Sequence, residues 1–123
     1  MATIEITEQN FSDTVKEGIV LLDWWAAWCG PCRAFAPIYE AAATRHPAAK
    51  FGKIDTEAQP RLAAAFQIRS IPTLMIFRDG ILLYSQPGMV PGEALDDLLK
   101  QATALDMDKV RADIAAREAA PQP

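Results

Sequence analysis

Apolar and polar residues fall along the chain in short blocks, each with its own period. Thr3-Ile4-Glu5-Ile6 alternates and predicts a short first strand, and a helix follows over about 8–16, closed by Gly18 as a C-terminal glycine. Ile19-Val20-Leu21-Leu22-Asp23-Trp24-Trp25 is apolar on both faces except at Asp23, the pattern of a strand in the middle of a sheet. From Pro31 to about Arg45 the apolar Phe35, Ile38, Tyr39 and Ala42 recur at helical spacing, and Pro47 ends the pattern. A kink is expected at Pro37, whose ring interrupts the helical hydrogen bonds.

Residues 51–55 suit a further strand, and 57–67 a helix with Pro60 in its first turn and a buried stripe of Leu62, Ala65 and Phe66. Thr73 to Phe77 and Ile81 to Tyr84 flank Arg78-Asp79-Gly80, an antiparallel hairpin because Asp-Gly supplies the positive φ of a tight turn. Leu95, Leu98, Leu99 and Ala102 share one helix face, and Met107, Val110 and Ile114 another. The pattern leaves open whether these are one bent helix or two. The order βαβαβ then ββα predicts an α/β fold, α+β by stricter naming, with a mixed sheet covered by helices on both faces. Residues 1–105 are expected to form the domain, and 106–123 a helical extension with a frayed tail over 119–123.

Composition agrees with a single packed domain. The 123 residues are 50% hydrophobic and 23% charged, and a chain of this size buries about two-thirds of its unfolded surface. A net charge of -4 without a Lys/Arg cluster argues against nucleic acid as a partner. The opening residues lack the cationic and apolar regions of a secretory signal, and no run reaches membrane-spanning length, so a cytoplasmic location away from membranes is expected.

The chain has two cysteines, in Trp28-Cys29-Gly30-Pro31-Cys32, at the junction of the central strand and the helix. A pair so close cannot clip distant parts of a fold, and in a reducing compartment it points to catalysis or metal binding. At the helix N-terminus the Cys29 thiolate would meet unpaired backbone N–H groups and the positive end of the helix dipole, which lowers a thiol below its free value of about 8.5. Cys29 is then the exposed attacking thiol and Cys32, one turn further in, the shielded resolving one. Pro31 is pre-set for a first helical turn, and Gly30 lets a partner backbone approach.

A structural zinc site needs about four ligands, and the chain offers two cysteines and His46. As the base of a Cys-His hydrolase, His46 would lie at the far end of the helix, about 25 Å from Cys29 at 1.5 Å per residue. Inert buried cysteines are the remaining alternative. Asp23 adds weight to chemistry: an acid inside a central apolar strand must be protonated, paired or used, and its expected use is to take the proton from Cys32. Trp28 reads either as core or as a contact surface beside the sulfur. Trp24 and Trp25 read as core. Pro72 heads a strong strand in either isomer, and Gly88 alone is a turn glycine.

With Trp28-Cys29-Gly30-Pro31-Cys32, Asp23 ahead of it and Arg69-Ser70-Ile71-Pro72-Thr73 behind, residues from about Ile4 to Ala102 closely resemble the thioredoxins. Lys53 to Ala58 and Phe66 to Thr73 look particularly like the bacterial thioredoxin 2 subgroup, though without its zinc-binding N-terminal extension. The resemblance implies a thioredoxin fold with a mixed five-stranded sheet, Pro72 cis and facing Cys29, and no metal or cofactor beyond the Cys29-Cys32 dithiol. It implies a groove of Trp28, Gly30, Pro31, Ile71, Pro72, Gly88 and Met89, on which an extended substrate pairs with Ile71.

The activity implied is reduction of protein disulfides, with electrons from an NADPH-dependent thioredoxin reductase and a monomer as the working form. Two other readings stand beside it: a binding subunit on the same fold, and an exported disulfide oxidase or isomerase. The lysine that many members place near the buried acid falls at Phe51, with Lys50 and Lys53 nearby, which leaves the charge partner of Asp23 open. Arg33 stands where the lysine after the second cysteine is usual, and Asp106 to Pro123 lies beyond the usual end.

Overall fold

The computed structural model describes residues 2–119. Its elements are β1 (Ile4–Glu5), α1 (Phe11–Val15), β2 (Ile19–Trp25), α2 (Gly30–Arg45), β3 (Lys50–Asp55), α3 (Pro60–Ala65), β4 (Thr73–Arg78), β5 (Ile81–Pro87), α4 (Gly92–Ala104) and α5 (Met107–Ala119). One five-stranded sheet has the order β1-β3-β2-β4-β5. β3 pairs in parallel with both β1 and β2, whereas β4 runs antiparallel to β2 and β5. β2 is central, as its apolar faces require, and its side chains divide between two cores. Leu21 joins Phe35 and Tyr39 of α2, Phe51, and Leu95 and Leu99 of α4. Val20, Leu22 and Trp24 point the other way, toward Phe11 and Val15 of α1, Ile54, Met75 and Phe77.

Where β1 and β2 flank β3 there is room for nothing at position 52. A Cβ on Gly52 would stand 2.6 Å from Ile6 Cγ1 and 3.0 Å from Leu22 Cδ2, both buried branched side chains. Gly52→Ala is therefore expected to destabilise the fold by about 1–3 kcal/mol, the usual cost of overpacking, read as a lower urea midpoint. An unchanged midpoint would show that the Ile6 side chain has somewhere to go.

Several sequence expectations need correction. The helix expected over 57–67 is only Pro60–Ala65, because the Asp55 carboxylate takes the N–H groups of Glu57 and Ala58 at 2.9 and 3.3 Å and holds those residues in a turn. Its packed side is Leu62, Ala63 and Phe66, while Ala65 is exposed. The helix expected over 8–16 begins at Phe11, after Asn10 has capped the Thr7 N–H with its side chain at 2.7 Å. Pro37 lies inside a helix as expected, α2.

The Asp-Gly turn has the predicted positive φ, 51° at Asp79 and 83° at Gly80. It also docks: Asp79 accepts from the Gly18 N–H at 2.9 Å, and the Gly80 N–H donates to Val15 at 3.0 Å. β5 extends to Pro87, past a bulge that leaves Leu83 outside the ladder. The C-terminal helices are two, separated at Leu105, whose extended ψ of 138° stops α4. Asp106 caps α5, its carboxylate accepting from the N–H groups of Asp108 and Lys109. The Arg78 guanidinium donates to the carbonyls of Ala102, Thr103 and Leu105, so one side chain satisfies the open end of α4. Met107 is buried. Of the frayed tail expected over 119–123, residues 120–123 lie outside the described residues.

The far end of α2 is tied to α4. Asp96 accepts from Arg45 Nη2 at 2.9 Å and contacts His46 Nε2 at 2.6 Å, and these bonds, His46 first, hold its carboxyl below the usual range. His46 is thus at the opposite end of the helix from Cys29, as expected.

Candidate active site

β2 delivers the chain to one end of the sheet, and there Cys29 becomes the N-cap of α2. Gly30 and Pro31 make the first turn, and Cys32 one turn in has its Cα 5.2 Å from that of Cys29, with the two sulfurs joined as a disulfide. The Cys32 N–H donates to Cys29 Sγ at 3.2 Å, so a helix-end donor that would otherwise lack a partner is aimed at that sulfur. A Cβ on Gly30 would meet nothing within 4 Å, so the glycine leaves open surface beside the sulfurs.

In the disulfide state Cys29 is not the exposed member of the pair. Cys29 is 4% and Cys32 3% exposed, because Ala26, Trp25 and Ile71 pack around both. Ile71 comes from a distant part of the chain, across a cis Ile71-Pro72 peptide, and its carbonyl oxygen lies 3.6 Å from Cys29 Sγ. The Gly88 N–H donates to the Pro72 carbonyl at 2.7 Å, and Gly88 has a φ of 99°, which only glycine adopts without strain. Trp28 is 67% exposed, a surface residue and not core, and the neighbouring Met89 is exposed as well. Trp24 is fully buried and Trp25 half-buried.

One partner in this cluster leaves no trace in the sequence pattern. Trp28 Nε1 donates to Glu57 Oε1 at 3.0 Å, which fixes the indole although most of it faces solvent. Nothing in the spacing of Trp28 and Glu57 signals that contact, since the turn after β3 creates it. Between Trp28, Thr56, Ile68, Arg69 and Ile71 lies a shallow cavity of about 180 Å³.

Asp23 shares the α2 face of β2 with Leu21 and is fully buried. Its carboxylate oxygens have no hydrogen-bond partner among the described residues. Burial pushes its pKa up from 3.8 to about 7, against the opposing charge of Lys53. Lys53 sits directly opposite Asp23 in the β2–β3 register, whereas Phe51 pairs with Leu21. The charge partner of Asp23 that the sequence left open is Lys53, the cation whose charge acts on the buried carboxyl. Its ammonium lies 4.9 Å from the centre of the Trp25 ring, and Tyr39 on α2 has its phenol pushed up by burial and then by Asp23. Among the described residues, no group of three or more His, Cys, Asp or Glu could hold a metal ion.

A family model described as thioredoxin matches residues 2–101. The chain belongs to the thioredoxin family. It is 53% identical over 119 residues to "Putative thioredoxin 2" of Streptomyces coelicolor, covering 96% of this chain and 89% of that one. It is 38% identical over 102 residues to a thioredoxin of Staphylococcus saprophyticus, covering 82% of this chain and 98% of that one. Among solved structures, a single-substitution mutant of a thioredoxin from Halobacterium salinarum NRC-1 superposes with a TM-score of 0.78 at 32% identity, covering 85% of this chain and 93% of that chain. The protein is accordingly a thiol-disulfide oxidoreductase of the thioredoxin family, a protein-disulfide reductase whose redox group is the Cys29–Cys32 disulfide. The thioredoxin fold expected from the sequence is the fold observed, and α5 is added beyond the residues that the family model matches.

Proposed function

We propose that Cys29 is the attacking thiol and Cys32 the resolving one in reduction of protein disulfides. The observation that carries this assignment is the helix-end N–H of Cys32 directed at Cys29 Sγ, since a donor there favours the thiolate on Cys29. The Cys29 thiolate attacks one substrate sulfur, the substrate S–S bond breaks, and the departing sulfur takes a proton. Cys32 then gives its proton to Asp23 and attacks Cys29 Sγ, breaking the mixed disulfide and releasing the second substrate thiolate. Two electrons pass from the dithiol to the substrate, and the two protons the substrate thiolates take up from solvent are matched by the one Cys29 lost on ionising and the one Asp23 returns. Lys53 offsets part of the cost of charge on Asp23. Gly30 and Pro31 tune the pair by restraining the sulfur separation.

Trp28, Ile71, Pro72, Gly88 and Met89 form the binding groove in this reading. Neither the N–H nor the carbonyl of Ile71 has a backbone partner among the described residues, which supports pairing with an extended substrate. Electrons return from an NADPH-dependent thioredoxin reductase, so the protein works as a monomeric electron carrier in the cytoplasm, away from nucleic acid and membranes. Among the described residues no helix is long and apolar enough to cross a membrane. In the same reading residues 1–105 are the redox domain and 106–123 an extension to it.

With dithiothreitol as electron source, the protein is expected to precipitate insulin by reducing its disulfides, and Cys29→Ser to leave only the background rate. Turbidity no faster than dithiothreitol alone would end this reading.

A further inference from the structure

The other charged side chains around the sulfurs are already engaged. Arg33 Nη1 donates to the Ala27 carbonyl at 2.8 Å, Glu57 holds Trp28, and the Lys53 ammonium lies over the Trp25 ring. Arg69 is exposed, and its guanidinium has no hydrogen bond or ion pair among the described residues. It lines the cavity that ends at Trp28 and Ile71, and also a second of about 180 Å³ on its other side, toward Gln67, Ser70, Thr73 and Ser85. A cation without a partner therefore stands between two hollows, two residues from the backbone offered to substrate.

We propose that Arg69 is a specificity residue, through which the groove favours disulfides whose cysteine has an acidic side chain two residues away. This rests on the reading of the Ile71 groove given above. An extended segment repeats its side-chain direction every second residue, a step of about 6.6–6.8 Å, and Arg69 and Ile71 line one cavity although the chain bends at Ser70 and Ile71. With the client cysteine at Cys29 beside Ile71, a side chain one such step along the client comes within reach of that cavity and of the guanidinium, whose planar fork matches a carboxylate. The net charge of -4 gives an acidic client no general attraction, so the preference is local and sensitive to salt.

The test uses pre-reduced protein and three disulfide peptides that differ only in Glu, Ala or Lys two residues from the cysteine. Second-order rates of disulfide exchange are read by chromatography. At low salt the Glu peptide is expected to react about five- to tenfold faster than the Lys peptide, a size typical of one partly solvated ion pair plus steering. The ratio should fall toward one in about 0.5 M salt, where the screening length is only a few ångströms. Arg69→Glu should invert the ratio, and because both peptides are measured on one protein, any general loss of activity cancels. Equal rates for Glu and Lys peptides on the unaltered protein, or an unchanged ratio in Arg69→Glu, would overturn the proposal while leaving the reductase reading intact. If the Ala peptide also fails to react with the unaltered protein, the reductase reading itself falls and takes this one with it.

Discussion

Cys32→Ser is expected to stop the protein halfway, with substrates covalently attached to Cys29. The attack needs only the thiolate at the start of α2, and the serine that follows cannot displace a sulfur, so the mixed disulfide accumulates. Steady turnover of insulin should fall about a thousandfold or more, as it does when one member of a catalytic unit is removed. Non-reducing gels or intact mass should show adducts that dithiothreitol removes. Cys29→Ser should lose turnover to the same degree and trap nothing, because the helix-end N–H that favours a thiolate is directed at Cys29 Sγ and not at Cys32. Equal adduct yields from the two variants would refute the division of labour.

Asp23→Asn should stabilise the oxidised protein at pH 8 and do little for it at pH 4. The folded-state pKa of Asp23 is raised from 3.8 to about 7, so the folded protein holds its proton where the unfolded chain has already lost it. Stability therefore declines as pH rises from about 4 to about 7, and the penalty is complete above that. Three pKa units at 1.36 kcal/mol each set it at about 4 kcal/mol. Urea unfolding should show the variant gaining most of that amount at pH 8, less the cost of burying an amide with no partner. The same variant should resolve the mixed disulfide more slowly than it forms it, in single-turnover kinetics at neutral pH. Parallel stability profiles for the two proteins would mean that Asp23 is ionised without penalty, and unchanged resolution would remove it from the proton path.

Local chemistry explains which elements are legible. β2 can be read to its last residue because no other structure suits seven residues that are apolar on both faces, and the Asp79-Gly80 hairpin because its φ values admit few sequences. Cys29, Cys32 and Asp23 stand out because each is anomalous where it stands. The misreadings share a different cause, which is dependence on a partner far along the chain. The charge partner of Asp23 stays open in the sequence because strand register and not spacing decides which residue lies opposite it, and register gives Lys53. The burial of Cys29 depends on Ile71, and the fixing of Trp28 depends on Glu57. Arg78 closing the end of α4 across the sheet belongs to the same class.

The anchoring of α2 has a consequence for communication. The helix that begins at the sulfurs is fixed along its length, by the Tyr39 hydroxyl on the Gly52 carbonyl at 2.8 Å and by Arg45 and His46 on Asp96. None of those ties involves a sulfur, so opening the disulfide at the first turn is expected to leave them in place. The oxidation state is thus recorded in a handful of atoms and not in the outline of the molecule. On the proposed reading, a partner that must distinguish the two forms is expected to do so by contact at the Cys29 surface.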